Sequence, residues 1–354
     1  MTIDLDGRGT RSLTPGEVLL EVENLSVDFD TRHGRLRAVD GVSWRVRAGE
    51  TLAILGESGS GKSVSVQALT GILEMPPGRI VSGTARYRGD DLIAMEARSR
   101  RRVVGDRITM VFQDSLSALN PVQTVGRQIA ECFEVHRGLS RREAMRRAAE
   151  MLDRVRIPAA RQRVKDYPHE FSGGMRQRVM LAMALALDPD VLIADEPTTA
   201  LDVTVQAQVL ELIADLQTDR QMGVVLITHD IGVVADVADT VVVMYAGHVV
   251  ERAAARELLD HPVHPYTEGL LGSIPSADLK GHDLPTIPGT PPSLRTVPSG
   301  CAFRTRCPLA VAECASAVPP LIPVGPGRET ACIRRTSEVP GVTIPHSRLA
   351  AGGA

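Results

Sequence analysis

The 354-residue sequence contains no hydrophobic run long enough to span a membrane and no secretory signal at its start. Residues 1–13 carry charges and glycines where a signal peptide would have a continuous apolar stretch. We therefore expect a soluble, cytosolic chain that reaches a membrane only through other subunits. An excess of charge of one sign is also missing, because 40 basic residues face 43 acidic ones and leave a net charge of -3. This balance gives no overall electrostatic footprint for nucleic acid, and we expect no nucleic-acid partner.

Cysteine is too scarce for a disulfide framework in a cytosolic chain, and its positions indicate another use. Four of the five cysteines fall close together, at Cys301, Cys307, Cys314 and Cys332. Thiolate quartets hold iron-sulfur clusters or zinc. The absence of a tight two-residue spacer and the proline after Cys307 favour a [4Fe-4S] cluster, with zinc or unligated thiols as the alternatives. Cys132 stands apart in a predicted amphipathic helix, where we expect it to be buried by packing.

Residues 15–260 show the pattern of an α/β domain around a mainly parallel sheet. Runs rich in β-branched residues predict strands covered on both faces at 51–55, 108–112, 191–195, 224–228 and 240–245. From about 114 to 186 the strand signal gives way to helical spacing. Ser140 and Glu143 form a possible capping box there, and an apolar stripe follows at Met145, Ala148, Leu152 and Val155. We predict a helical subdomain inserted into the α/β core.

The composition shifts towards proline and glycine from residue 261 onward. This shift predicts a largely irregular C-terminal extension over 261–336, whose order depends on something other than a hydrophobic core. The two ends of the chain, 1–14 and 337–354, are predicted to be flexible.

A glycine-rich segment follows the strand at 51–55 and precedes a helix-compatible stretch. Its residues are Gly56, Glu57, Ser58, Gly59, Ser60, Gly61, Lys62, Ser63 and Val64. This is the Walker A pattern in the context that it requires, and a chance glycine turn is the alternative. Glycines let backbone amides wrap around phosphates, and the next helix offers its positive end. We expect Lys62 to reach the β- and γ-phosphates of ATP and the Ser63 hydroxyl to complete the coordination of Mg²⁺.

The strand at 191–195 ends in two acids, as a Walker B segment does. A carboxylate at this strand end can hold a Mg²⁺-bound water, and a second one can orient the attacking water. We therefore assign Asp195 to the metal and Glu196 to the water.

A second anion site is predicted at Ser172, Gly173 and Gly174, which stand at a helix start just before the Walker B strand. The alternative is a simple N-cap followed by a glycine turn. The segment Phe171-Ser-Gly-Gly-Met-Arg-Gln-Arg178 closely resembles the signature of the ABC ATPase family. The resemblance covers about 18–271 and implies a P-loop NTPase (RecA-like) core with an antiparallel β subdomain. It also implies that the signature meets the γ-phosphate bound to an opposite subunit.

Other family residues follow from this resemblance rather than from spacing. Gln113 matches the glutamine that senses Mg²⁺ and the attacking water, Asp202 lies in the D-loop, and His229 matches the switch histidine. Phe29 is the candidate for stacking on adenine, with a place in the core as the alternative.

Finer features resemble the oligopeptide and dipeptide importer branch of the family. They are the segment 113–121, the methionine at 175, His264-Pro265-Tyr266-Thr267, Ile287-Pro288-Gly289 and the cysteine cluster. The resemblance implies ATP hydrolysis that energises peptide import at the cytoplasmic face of the bacterial inner membrane. It implies as partners a second, non-identical ATPase, two permeases and an extracytoplasmic peptide-binding protein. The alternatives are an ABC-type ATPase of nucleic-acid or translation processes, which the single P-loop disfavours, and a scaffold for iron-sulfur assembly.

Overall fold

The computed structural model describes residues 13–113, 118–199, 201–273 and 286–335. The predicted flexible ends therefore lie almost entirely outside the described residues, as does part of the segment 113–121. Among the residues that are described, no helix is both long and apolar enough to cross a membrane.

An antiparallel sheet of four strands forms the N-terminal part. It is built from β1 (Val18–Thr31), β2 (Gly34–Arg47), β4 (Gly78–Tyr87) and β5 (Asp90–Asp91), in the order β2-β1-β4-β5. Trp44 and Tyr87 are buried in the core beneath it. The antiparallel β subdomain that the family resemblance implies is present.

The main sheet has eight strands in the order β11-β12-β10-β9-β3-β8-β7-β6. Its strands are β3 (Thr51–Leu55), β6 (Ile108–Val111), β7 (Val191–Asp195), β8 (Gly223–Thr228), β9 (Thr240–Tyr245), β10 (His248–Ala254), β11 (Ile322–Gly325) and β12 (Arg328–Thr330). The strands from β9 to β6 run parallel, and all residues of β3, β7 and β8 are buried. This confirms the predicted α/β core, with strand ends displaced by at most one residue.

Helices connect most of the strands of the two sheets. They are α1 (Lys62–Thr70), α2 (Ala97–Val103), α3 (Val125–Arg137), α4 (Arg141–Arg154), α5 (Ala160–Arg163), α6 (Gly173–Leu185), α7 (Val203–Arg220), α8 (Ile231–Val237), α9 (Ala255–Asp260) and α10 (Pro265–Gly272). Short 3₁₀ turns occupy Pro168–Glu170 and Ala312–Ala315.

Helices α3 to α6 follow one another between β6 and β7, where the helical insertion is predicted. The Ser140 hydroxyl caps α4 by accepting a hydrogen bond from the Glu143 amide at 3.3 Å. Glu143 itself pairs with Arg146, so only the serine half of the predicted capping box forms. Cys132 on α3 packs against the apolar core of this subdomain, as expected.

The C-terminal extension contains one short hairpin and one buried aromatic ring that the sequence did not indicate. Its strands β11 and β12 form a hairpin that pairs with β10 and so extends the main sheet. Phe303 is only 2% exposed and packs against Tyr245 of β9 and Tyr266 of α10, with ring centroids 5.3 and 5.4 Å away. The segment is largely irregular, as predicted, but the expectation that it is ordered without a hydrophobic core was wrong. A proline-rich segment can dock one large aromatic ring on a core that the preceding domain provides.

Candidate nucleotide site

The phosphate loop, residues 56–63, joins β3 to α1. Gly56 has φ 155° and Gly61 has φ 98°, both in the region that favours glycine. A Cβ atom at Gly56 would lie 2.3 Å from the Met244 carbonyl oxygen, and one at Gly61 would lie 2.6 Å from that of Ala38. Both the backbone conformation and the available space therefore require these glycines.

Lys62 begins α1 and its side chain turns back into the loop. Its Nζ donates hydrogen bonds to the carbonyl oxygens of Gly56 at 2.8 Å and Glu57 at 3.0 Å. Burial lowers the pKa of Lys62, while Glu196, Asp195 and Glu57 act in the opposite direction. The ammonium group thus lies inside the loop and near carboxylates. Ser58 and Gly59 stay exposed at the loop tip, Ser60 is buried, and Val64 packs against the core.

Ser63 and Asp195 come together from α1 and the end of β7. The Ser63 hydroxyl donates a hydrogen bond to Asp195 Oδ1 at 3.0 Å. Burial raises the pKa of Asp195, and the hydrogen bond from Ser63 partly offsets this. A hydroxyl and a carboxylate are oxygen ligands of the kind that Mg²⁺ combines with substrate phosphates. This pair therefore fits the predicted magnesium position.

Glu196 follows Asp195 directly, with its backbone at φ 47° in the left-handed region. Its carboxylate has three polar partners. Gln113 Nε2 donates to Oε2 at 2.8 Å, the Thr199 hydroxyl donates to the same oxygen at 2.9 Å, and His229 Nδ1 lies 3.1 Å from Oε1. The structure thus places Gln113 and His229, the glutamine and the switch histidine that the family resemblance implies, at the Glu196 carboxylate. Thr199 was missed, although a hydroxyl three residues after an acid in a turn is a signal that could have identified it.

The signature residues lie at the start of α6. The Ser172 hydroxyl caps this helix by accepting from the Met175 amide, and Asp202 caps α7 by accepting from Val205 at 2.9 Å. A Cβ at Gly174 would lie 2.4 Å from Val205 Cγ1, so the two helices approach closely there. Within the described part of the chain, no hydrogen bond or ion pair joins residues 172–174 to the phosphate loop. The signature and the phosphate loop are thus separate elements of one chain, and anion binding by residues 172–174 stays a prediction.

Phe29 lies near the end of β1, where it pairs with Leu36 on one side and Gly78 on the other. Its ring is half-buried and packs against the core. Its role in stacking on adenine stays a prediction.

The cysteine quartet lines one cavity in the C-terminal region, together with His264 and Phe303. Burial raises the pKa of three of these thiols, and that of Cys307 to about 11. Across the described ranges, no group of three or more His, Cys, Asp or Glu side chains stands in an arrangement that could hold a metal ion. A metal cluster here therefore stays a prediction.

Arg306 is a further residue that the sequence did not indicate. Its guanidinium pairs with Glu57 of the phosphate loop, so the C-terminal region contacts the nucleotide site directly. The only sequence signal is its position next to Cys307.

Two family models match this sequence. The ABC transporter model matches residues 39–199, and the model of the C-terminal region of oligopeptide/dipeptide transporters matches residues 250–314. Among curated proteins, the oligopeptide transport ATP-binding protein OppD of Salmonella typhimurium is 48% identical over 337 residues, which cover 95% of this chain and 100% of that protein. OppD of Escherichia coli K12 is 47% identical, with 91% of this chain and 95% of that protein covered.

Solved structures of similar fold are also ATP-binding cassettes. An ATP-binding cassette described as a dimer in a post-hydrolysis state, with ADP and phosphate bound, superposes with a TM-score of 0.60 at 26% identity. The match covers 67% of this chain and 99% of the cassette. The chain therefore belongs to the ATP-binding subunits of ABC transporters, in the group that carries the oligopeptide/dipeptide transporter C-terminal region.

Proposed function

We propose that this chain is the ATP-hydrolysing subunit of a bacterial importer for di- and oligopeptides and acts at the cytoplasmic face of the inner membrane. The observation that carries the proposal is the joint presence of the phosphate loop, the Ser63–Asp195 pair and the Glu196 cluster in a chain that also matches the oligopeptide/dipeptide C-terminal region. The names of the two similar proteins support the substrate class.

In the proposed reaction, water attacks the γ-phosphorus of ATP, the bond to the oxygen bridging the β- and γ-phosphates breaks, and ADP and phosphate leave. Glu196 orients the water and accepts its proton, because Gln113, Thr199 and His229 hold its carboxylate in place. Lys62 exchanges its two loop carbonyls for phosphate oxygens and stabilises their charge. Ser63 and Asp195 would hold Mg²⁺, which would supply positive charge to the β- and γ-phosphates.

The separate signature element supports a shared site. Residues 172–174 present a capped helix start with two glycines, and they have no hydrogen bond to the loop of their own chain in the part described. We propose that they meet the γ-phosphate bound to a second, non-identical ATPase. The dimeric state of the similar solved cassette supports this arrangement. Two permeases and an extracytoplasmic peptide-binding protein complete the proposed transporter.

We also propose that Cys301, Cys307, Cys314 and Cys332 hold a [4Fe-4S] cluster, with zinc as the alternative. All four thiols line one cavity, and thiolates are the usual ligands of such clusters. A bound cluster would cross-link distant parts of a segment with little regular structure. Anaerobically purified protein should contain about four irons and four sulfides per chain. Stoichiometric zinc would select the alternative, and absence of both metals would refute a metal centre.

The importer proposal is tested by purifying the tagged chain from detergent-solubilised bacterial membranes and identifying its partners by mass spectrometry. Permeases should copurify, and the complex in proteoliposomes should hydrolyse ATP faster when the peptide-loaded binding protein is added. A Lys62→Ala complex is the matched control and should show no stimulation. Copurification with ribosomes, RNA or iron-sulfur assembly proteins instead of permeases would overturn the proposal.

A further inference from the structure

Two residues of the C-terminal region contact Glu57, the second residue of the phosphate loop. The Arg306 guanidinium forms a two-pronged ion pair with it, with Nη1 2.7 Å from Oε2 and Nη2 3.2 Å from Oε1. The Tyr266 hydroxyl accepts a hydrogen bond from the Glu57 backbone amide at 2.9 Å. These contacts join residues 249 and 209 positions apart. Both the side chain and the backbone of Glu57 are therefore held by the far end of the chain.

Several contacts fix the side chain of Arg306 in place. Its side chain is 5% exposed, its Nε donates to the Pro288 carbonyl at 3.0 Å, and its guanidinium carbon lies 5.9 Å from the ring centre of Tyr245. Burial alone would lower the pKa of Arg306, but the hydrogen bonds with Glu57 and Tyr245 outweigh it and raise that pKa. A rigid, charged arginine loses little conformational freedom when it pairs with a carboxylate.

The location of Glu57 gives this pair an electrostatic role. Its side chain is only 25% exposed and belongs to a loop that receives an anionic triphosphate, and its carbonyl accepts from Lys62 Nζ at 3.0 Å. An unpaired carboxylate there would repel the phosphates and compete with them for Lys62. The positive charge of Arg306 cancels this effect.

We propose that Arg306 is a positioning residue of the nucleotide site: it neutralises Glu57 and fixes the phosphate loop, so that the C-terminal region sets the affinity for ATP. The inference rests on the proposed function, because it assumes that the loop binds ATP. Arg306 is bonded to Cys307 through a single peptide unit, so a displacement at the cysteine-lined cavity reaches the loop over a short path.

The test measures binding of Mg-ATP to the full-length chain and the kinetics of the assembled transporter. Arg306→Met should raise the Kd and the KM for ATP on the order of 10-fold, with kcat changed by less than about twofold. Arg306→Lys should lie between the wild type and Arg306→Met. Arg304→Met is the matched control, because the Arg304 guanidinium donates to Ser299 and, among the described residues, makes no hydrogen bond or ion pair with the phosphate loop, so its loss should leave the Kd unchanged.

Glu57→Gln separates an electrostatic role from a structural one. Alone it should bind Mg-ATP at least as tightly as the wild type, because the charge of Arg306 is then no longer cancelled. Combined with Arg306→Met it should recover most of the lost affinity, which it cannot do if Arg306 only holds the C-terminal region folded. An unchanged Kd in Arg306→Met, or a double variant no better than Arg306→Met, would overturn the inference. A wild-type chain that binds no Mg-ATP would instead refute the proposed function.

Discussion

The phosphate loop and the C-terminal segment 286–335 meet at Glu57 but are ordered by different means. The loop is fixed by its own glycine conformations and by the strand and helix on either side of it. The segment has little regular structure and depends on contacts with distant residues, such as Phe303 with Tyr245 and β12 with β10. The phosphate loop is thus ordered by constraints in its own sequence, whereas the C-terminal segment is placed against it by a few long-range contacts.

The largest expected effect is a loss of ATP hydrolysis on substitution of Glu196, near the phosphate loop. Glu196→Gln should bind Mg-ATP normally but hydrolyse it roughly 10²- to 10⁴-fold more slowly, because an amide cannot accept the proton. Binding and single-turnover hydrolysis of the assembled complex measure the two effects separately. Near-normal turnover would remove Glu196 from its assigned role.

A comparably large effect, on stability, is expected in the C-terminal segment. Phe303→Ala should cost roughly 3–5 kcal/mol of local stability, because it removes a buried ring from the aromatic contacts with Tyr245 and Tyr266. Limited proteolysis should then cut the segment faster while the α/β core stays resistant. Val318→Ala, at an exposed position of the same segment, is the control and should change the cleavage rate little. Equal resistance in both variants would show that the segment does not depend on this ring.

Lowering the pH should destabilise the C-terminal segment more than the phosphate loop, because of His264. Complete burial lowers the pKa of His264 from 6.5 to about 3, and Arg335 acts in the same direction. Above pH 6.5 this histidine is neutral in both states and costs nothing. As the pH falls from 6.5 to 3, only the unfolded chain takes up the proton, so stability drops by roughly 1.4 kcal/mol per pH unit.

The measurement compares protease resistance of the C-terminal segment at pH 7 and pH 5. His264→Asn keeps an acceptor for the Tyr266 amide, which donates to Nδ1 at 3.1 Å in the wild type. This variant should lose less resistance between the two pH values than the wild type does. Identical pH profiles would contradict the assignment to His264.

The smallest effect is expected from the second contact between the two regions. Tyr266→Phe keeps the ring and removes only the hydroxyl that accepts from the Glu57 amide. Because one such hydrogen bond contributes about 0.5–1.5 kcal/mol, the KM for ATP should rise about 2- to 10-fold. A larger rise than in Arg306→Met would show that the backbone contact, and not the charge pair, dominates the coupling.

The phosphate loop and the elements around it could be predicted closely from the sequence. The Walker A segment, the acids at 195 and 196 and the strands at 51–55, 191–195 and 240–245 were predicted because each depends on a few consecutive residues. The grouping of Gln113 and His229 around Glu196 required the family resemblance, since neither has a local signal.

The contacts of the C-terminal region could not be predicted in the same way. Arg306 pairs with a residue 249 positions away, and nothing in the neighbouring sequence distinguishes it from the half-buried Arg304. The burial of Phe303 depends on an aromatic surface that Tyr245 and Tyr266 assemble only after the sheet and α10 have formed. Sequence patterns indicate the secondary structure that a segment prefers locally. These contacts depend instead on the folded surface against which the segment packs.

The hairpin of β11 and β12 also protects the end of the main sheet. It pairs Glu251 and Arg252 of β10 with Thr330 and Glu329, and Arg328 lies 3.4 Å from the fully buried carboxylate of Glu251. A chain truncated before residue 322 would expose the backbone donors and acceptors of β10 as an open edge, a template for pairing with another molecule. Such a chain would also leave the buried carboxylate of Glu251 without this cation, with the Val263 and His264 amides as its remaining donors. Premature termination or proteolytic loss of the hairpin is therefore expected to cause aggregation, which makes the hairpin a requirement for solubility.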